Sequence, residues 1–338
     1  MIKLLIAEDS PVVRELLVNI FQNDPEISIV GVAKDGLEAV SMAETLRPDV
    51  ITMDIQMPKM NGVEATRLIM EQCPTRIIVV SASVDKDVSR PAFEAMKAGA
   101  LAVVDKPRGF NHKDFHEIRD SLIKTVKIMS NVKVITRWRS KAKGPAGSEQ
   151  KASTKIIAIG ASTGGPAALS LILKGLPADL SIPVLIVQHM TPGFGPAFAS
   201  WLHGESPIPV KTAEMGERLE AGHVFVAPDN FHLGLTRAGQ VALTTEKLSY
   251  NSHRPSINYM FDTVAKNFGN KALGVLLTGM GEDGALGLRE IKTAGGKTIA
   301  QDEQSCVVFG MPKSAIALGA VDQIVPLDKI ASVILAML

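Results

Sequence analysis

Residues 155–166 read KIIAIGASTGGP. The first five form an apolar, Ile-rich run of strand length. The next seven are small residues around one serine, and a helix-period stretch, Ala167–Lys174, follows. A strand that turns through glycines into a helix is the opening unit of a βα fold, and such units assemble into parallel sheets. The turn also carries G-x-S-x-G. Small neighbours let a serine sit on a tight turn with its hydroxyl exposed and backbone N–H groups near it. A helix N-terminus there favours a developing oxyanion. A Gly-rich turn after a strand suits a phosphate as well, so on this stretch alone a nucleotide-binding domain stays open.

The alternation continues downstream. Val184–Val187 and Ala272–Leu277 read as buried strands, with helices at Pro196–Leu202, Ile257–Phe268, Ala285–Ala294 and Lys329–Met337. Val210–Ala227 and Leu233–Thr245 read as short strands with turns. Region 154–338 is therefore expected to be an α/β domain with a mostly parallel sheet and a β-hairpin. Val184–Val187 runs into Gln188-His189-Met190. A dinucleotide site wants an acid at such a strand end to hold the ribose, whereas a histidine fits a serine activated by an imidazole base. His112 and His116 fall in the first domain or its last helix. His203, His223, His232 and His253 fall in or near turns, where surface or capping roles are expected. Ala272–Leu277 runs into Thr278-Gly279-Met280-Gly281-Glu282-Asp283-Gly284. Asp283 either caps the next helix or fixes a histidine's tautomer. The order Ser162, His189, Asp283 differs from the Ser, acid, His order of α/β-hydrolases, so a different fold with similar chemistry is expected. Ser256 reads as the cap of the helix Ile257–Phe268.

Upstream, Ile2–Ala7, Ser28–Ala33, Val50–Met53, Arg76–Val80 and Ala100–Val104 are short apolar runs. Between them lie helix-period stretches, Val12–Phe21, Leu37–Leu46, Gly62–Gln72 and Val88–Ala98, and a fifth helix is predicted at Lys113–Met129. Region 1–125 thus reads as a doubly wound five-stranded sheet. Such sheets bind ligands at the carboxyl ends of their strands. Glu8 and Asp9 follow the first strand, Asp54 the third, and Asp105-Lys106-Pro107 the fifth, and these three strands are expected side by side. Clustered carboxylates repel one another unless a cation sits among them, and oxygen ligands suit Mg²⁺. An aspartate, a divalent ion and a lysine together can accept a phosphoryl group. Ser81, after the fourth strand, is placed to hydrogen-bond it.

Composition narrows the function classes. The 338 residues suggest about two domains. Lys plus Arg total 36 and Asp plus Glu 35, a net charge of +1, without the basic surplus of a nucleic-acid binder. No helix-turn-helix pattern is evident in the second half. Cys73 and Cys306 are the two cysteines, so no disulfide framework or CxxC metal pair exists. No apolar run has the length of a membrane span, and the N-terminal run is too short for a secretory signal, so a cytoplasmic protein without membrane insertion is expected. Residues 126–153 are assigned as a linker. Its stretch 131–153, basic and then rich in Gly, Pro, Ser and Ala, reads as a solvated connector, with a docking patch as the alternative.

Asp54-Ile55-Gln56-Met57-Pro58-Lys59-Met60-Asn61-Gly62 and Asp105-Lys106-Pro107 resemble the receiver domain of two-component response regulators, with its flavodoxin-like fold. The resemblance implies Asp54 as phospho-acceptor, Mg²⁺ held by Glu8, Asp9, Asp54 and the Gln56 carbonyl, and phosphate contacts from Ser81 and Lys106. The position three before Lys106, often aromatic in receivers, is Val103, which puts an aromatic-rotation switch in doubt. Gly160–Pro166, Gln188–Gly193 with Phe194, Ala227-Pro228-Asp229, His253-Arg254-Pro255-Ser256 and Thr278–Gly284 resemble the chemotaxis protein-glutamate methylesterases (CheB type). That resemblance implies Ser162 as nucleophile, His189 as base and Asp283 as its orienting carboxylate. It points to backbone N–H groups near Thr163 and Met280 as an oxyanion site. It also implies methylated chemoreceptor glutamates as substrate, glutamine deamidation as a second family activity, and a chemotaxis histidine kinase as phosphodonor. No esterase cofactor, no nucleic-acid partner and a monomer are expected. The receiver is expected to cover the Ser162 rim until Asp54 is phosphorylated. The rivals are a receiver-linked receptor-docking module and a nucleotide-binding domain, neither with esterase activity.

Overall fold

A computed structural model of the chain describes residues 1–81, 86–109, 112, 115–132, 154–246 and 253–338. It divides into two compact units, Met1–Arg137 and Trp138–Leu338.

The first unit alternates β1 (Ile2–Ala7), α1 (Pro11–Gln22), β2 (Ile27–Ala33), α2 (Gly36–Leu46), β3 (Val50–Asp54), α3 (Gly62–Gln72), β4 (Arg76–Ser81), α4 (Lys86–Ala98), β5 (Ala102–Asp105) and α5 (Phe115–Met129). All pairings are parallel, in the order β2-β1-β3-β4-β5. The expectation that strands one, three and five lie side by side is corrected: β4 stands between β3 and β5. Right-handed crossovers lay each later strand one place further out, so the fourth pairs with the third before the fifth is added. The correction brings Ser81 into register with Asp105 and sets it beside the Asp54 end of β3. β3 is buried on both faces, as helices on both sides require. Three helices start on residues that cap them: the Ser10, Asp35 and Asn61 side chains accept from the N–H groups of Val13, Glu38 and Glu64. α5 runs to Met129, with Val126 and Met129 buried. The helix ends at Met129 as expected, so residues 126–129, which the linker bounds 126–153 also took in, belong to this helix. The linker stretch 133–153 lies outside the described residues.

The second unit contains β6 (Ile156–Ala161), α6 (Gly165–Lys174), β7 (Val184–Gln188), α7 (Gly195–Glu205), β8 (Val210–Thr212), β9 (Val224–Val226), β10 (His232–Leu235), β11 (Val241–Thr244), α8 (Ile257–Phe268), β12 (Ala272–Leu276), α9 (Ala285–Thr293), β13 (Lys297–Gln301), α10 (Met311–Ala317), β14 (Gln323–Val325) and α11 (Leu327–Ala336). Seven strands form a parallel sheet in the order β14-β13-β12-β6-β7-β9-β8, and β10 and β11 form the antiparallel hairpin. Ile156 and Ala158 of β6 join Met260, Phe261, Leu288 and Met311 in one core cluster. Ile157 and Ile159, equally buried, point to the other face by the two-residue alternation of a strand. Packing on both faces is what makes β6 and β7 read as unbroken apolar runs. The order reverses around β6: β7 is added on one side and β12 on the other. In open α/β sheets that reversal opens a crevice at the carboxyl ends.

Candidate active site

Ser162 follows β6 directly and His189 follows β7 directly, so the register of these neighbours puts them on one rim. Backbone bonds tie the rim together. The His189 N–H donates to the Ala161 carbonyl at 2.9 Å, and the Ser162 N–H to the Thr278 carbonyl at 3.0 Å, beyond β12. The Gln188 side-chain amide donates to the Ser162 and His189 carbonyls at 2.8 and 2.7 Å. The buried Thr278 hydroxyl donates to the Thr163 carbonyl at 2.9 Å and accepts the Val308 N–H. The Gln301 carboxamide oxygen accepts the Thr278 N–H at 2.8 Å. The nucleophile turn is thus fastened to both neighbouring strands.

Two glycines are required here. Gly164 caps α6 with φ +79°, a conformation costly for residues with a Cβ. Gly279 lies so close to the nucleophile that a Cβ on it would come within 2.7 Å of Ser162 Cβ.

Asp283 accepts the hydrogen bond of His189 Nε2 through Oδ2 at 2.8 Å. Its other partners come from the start of α8. Ser256 Oγ and the Asn258 N–H donate to Oδ1 at 3.2 and 3.0 Å, and the Ile257 N–H to Oδ2 at 2.8 Å. A helix N-terminus stabilises a carboxylate through these orphan N–H groups. Burial pushes the Asp283 carboxyl up, but the His189 contact and the two N–H donors outweigh it and hold it below the usual carboxylate range. Asn258 closes the arrangement, its side-chain oxygen accepting the Gly284 and Gly287 N–H groups at 3.0 and 2.8 Å. Nε2 is committed to Asp283, so Nδ1 is the ring nitrogen left for a proton from Ser162. Among the described residues Ser162 Oγ makes no hydrogen bond to His189, an arrangement common before substrate binds. The N–H groups of Thr163 and Met280 donate to no protein acceptor among the described residues.

Sequence reasoning missed the roles of Gln188, Asn258 and Thr278, and took Ser256 for a helix cap alone. It also placed His232 and His253 in or near turns, with surface or capping roles. His232 instead begins β10 with 2% exposure, its Nδ1 accepting the Ser256 N–H at 3.1 Å. His253 is exposed but lies on the catalytic rim, its ring against that of His189.

The first unit carries a second site at its own carboxyl rim. Carboxylate oxygens of Glu8, Asp9 and Asp54 lie within 4.8 Å of one another. Lys106 Nζ sits 2.9 Å from Asp54 Oδ2 and 3.0 Å from Glu8 Oε2. Burial and then the Asp54 charge push the Glu8 carboxyl up to about 7 against the pull of Lys106, and burial raises Asp54 as well. One lysine among three carboxylates leaves excess negative charge, and an all-oxygen donor set suits a hard divalent cation, so these residues fit one. Ser81 Oγ is buried and has no hydrogen-bond partner among the described residues. Gln56 is exposed two residues after Asp54, and Val103 is half-buried on β5, paired with Val79.

Residues 157–334 match the family model of the CheB methylesterase, and residues 4–118 that of the response regulator receiver domain. A protein-glutamate methylesterase/protein-glutamine glutaminase of Nitrosospira multiformis is 47% identical over 98% of this chain and 96% of its own length. One of the same description from Thermotoga maritima is 41% identical over 97% of this chain and 96% of its own. The crystal structure of the Thermotoga maritima CheB methylesterase catalytic domain aligns with a TM-score of 0.53 at 41% identity, covering 55% of this chain and 99% of that one. The chain belongs to the CheB methylesterase family and carries a response regulator receiver domain ahead of its catalytic domain.

Proposed function

We propose that this chain hydrolyses glutamate methyl esters on chemoreceptors through a Ser162–His189–Asp283 triad, under control of phosphorylation at Asp54. The observation that carries the reading is the 2.8 Å contact between His189 and a fully coordinated Asp283, on the rim that holds Ser162. His189 Nδ1 takes the Ser162 proton as Oγ attacks the ester carbonyl. Asp283 keeps the proton on Nε2 and stabilises the charged ring. The Thr163 and Met280 N–H groups are open to the oxyanion, where such donors lower the barrier by about 3 kcal/mol each. The His189 proton then leaves with methoxide as methanol, and a glutamyl ester on Ser162 remains. Water, deprotonated by the same nitrogen, releases glutamate and restores the serine. A glutamine side chain enters the same sequence with ammonia as the leaving group, in keeping with the double description of the relatives.

In the receiver, Asp54 accepts the phosphoryl group from a chemotaxis histidine kinase. Glu8, Asp9, Asp54 and the Gln56 carbonyl would hold Mg²⁺, which when bound supplies neutralisation of the charge of phosphoryl transfer. Lys106 and the Ser81 hydroxyl, without a hydrogen-bond partner among the described residues, contact the phosphate. No described helix is long and apolar enough to cross a membrane. The proposed enzyme acts as a monomer in the cytoplasm on the receptors' helical regions. The test is methanol release from methylated receptor membranes, with and without a small phosphodonor. Wild type releases methanol faster with phosphodonor, Asp54→Ala does not respond, and Ser162→Ala is inactive. Release that persists in Ser162→Ala removes the nucleophile assignment. No release from wild type leaves the docking-module or nucleotide-binding readings.

A further inference from the structure

His189 directly follows β7 on the carboxyl rim, and its side chain is only 8% exposed. One face of its ring is covered by His253, with centroids 4.5 Å apart and planes within 5° of parallel. His253 itself is exposed, so it is not held there as part of the core. It stands three residues before Ser256, in the segment that delivers Ser256 Oγ and the Ile257 and Asn258 N–H groups to Asp283. Residues 253–258 therefore serve both members of the pair, cradling the carboxylate and covering the imidazole.

The hydrogen bond to Asp283 fixes one atom of the His189 ring. With the covalent link at Cγ as the other anchor, the ring can still turn about the line between the two, and that turn carries Nδ1 out of reach of the serine proton. Proton transfer needs heavy atoms within hydrogen-bond distance, and a displacement of about 1 Å costs on the order of a hundredfold in rate. A flat plate against the ring face blocks that turn while leaving both nitrogens in its plane open. Offset or parallel ring contacts at such separations are attractive in themselves.

We propose that His253 is a positioning residue for ester hydrolysis: it stacks on His189 and holds the imidazole in the plane that keeps Nε2 on Asp283 and Nδ1 toward Ser162. The inference rests on the reading of His189 as the base. What it requires of residue 253 is a flat ring. An ionisable nitrogen is not needed.

The experiment uses the full chain, methylated receptor membranes and saturating phosphodonor, with kcat and KM measured separately. His253→Ala is expected to lower kcat about tenfold or more, with KM within about twofold of wild type. His253→Phe restores the plate and is expected to stay within about threefold of wild type, whereas His253→Leu, apolar but not flat, behaves like the alanine variant. Thermal midpoints close to wild type separate the loss from misfolding, and the phenylalanine variant decides the matter if the alanine variant is unstable. Full activity in His253→Ala overturns the proposal. So does a raised KM at unchanged kcat, the mark of a substrate contact, or a phenylalanine variant as impaired as the alanine one. Wild type that matches Ser162→Ala would instead break the methylesterase reading.

Discussion

Asp54 and Asp283 are each 4% exposed, and each lies at the carboxyl rim of a parallel sheet. Burial raises the proton affinity of both, but the outcomes are opposite, with Asp54 above its ordinary range and Asp283 below. The difference lies in the donors. Asp283 receives two backbone N–H groups, a hydroxyl and an imidazole. Asp54 receives one N–H, from Ile55 at 2.7 Å, and shares Lys106 with a second buried carboxylate, Glu8. Asp283 is finished: its charge is settled by the fold and serves His189. The Asp54 cluster is left short of positive charge, which is what makes it a place for a cation and a phosphoryl group. Burial alone predicts neither role, and counting donors separates them.

The sharpest way to break this contrast is Asp283→Asn. The amide keeps the shape but turns a donor toward groups that are themselves donors, and it cannot hold the imidazolium. Methanol release at saturating substrate is expected to fall by about 10³–10⁴-fold. A fall of less than about tenfold would make the coordinated carboxylate a helix cap and no more. Next is Glu8→Gln. Removing a charge from a repelling cluster should stabilise the receiver without divalent ions and weaken its response to them. In wild type a bound cation adds about 2.7 kcal/mol at a hundred times its dissociation constant, and thermal unfolding of the full chain with and without Mg²⁺ should show this gain shrinking in the variant. The pH slope follows the same logic. Glu8 titrates near 7 in the fold against 4.5 when free. Its contribution to stability is therefore full below about 4.5 and lost as pH rises through about 7, and glutamine should abolish that slope. A receiver with equal slopes in both proteins would mean that Glu8 is not the buried, repelled group described. A smaller effect is expected from Ser256→Ala, which removes one of the donors to Asp283 and the cap of α8. About 1 kcal/mol of catalytic-unit stability and a several-fold drop in kcat should go together. Loss of stability with an unchanged kcat would confine Ser256 to capping.

How far the sequence carried depended on whether the information was local. The residues at the ends of β6, β7 and β12 were legible because short apolar runs ending in Ser162, His189 and the Thr278–Gly284 turn mark strand ends, and strand ends mark the rim. Helix α8 was legible to the residue from Ser256 and its apolar period. β13, β14 and α10 were not assigned. β13 buries Thr298 and Gln301, polar residues that break an apolar pattern. Thr298 is satisfied by the distant Asp322, and the Gln301 oxygen by the distant Thr278 N–H, while the Gln301 amide donates to Ser305. Periodicity detects apolar burial and is blind to polar burial matched over 20 or more residues. The same blindness hid the second role of Ser256. The order of the receiver strands was misjudged for a different reason: pattern identifies strands but not their neighbours, which follow from the hand of each crossover.

His232 is the finest test of the contrast, because a neutral group there supports the charge on Asp283. Its Nδ1 accepts the Ser256 N–H, and Ser256 Oγ in turn donates to Asp283. Burial and then the Arg254 charge depress the His232 pKa below 6.5, against weaker opposing pulls from the Glu246 backbone and Asp283. A histidine with a depressed value contributes stability in full above its free value near 6.5, and this is lost as pH falls through the folded value. Protonation would turn Nδ1 from an acceptor into a donor facing an N–H group, releasing Ser256 and loosening one of the supports of Asp283. Acidification from about pH 7.5 to 5.5 should therefore lower the melting midpoint of the catalytic unit by a few degrees, on the order of the 2–4 °C that 1 kcal/mol moves a domain of this size. His232→Asn offers an acceptor that does not titrate in this range, so its midpoint should fall less over the same interval even if it begins lower. Parallel curves for the two proteins would place the acid sensitivity elsewhere and leave Ser256 held by the helix alone.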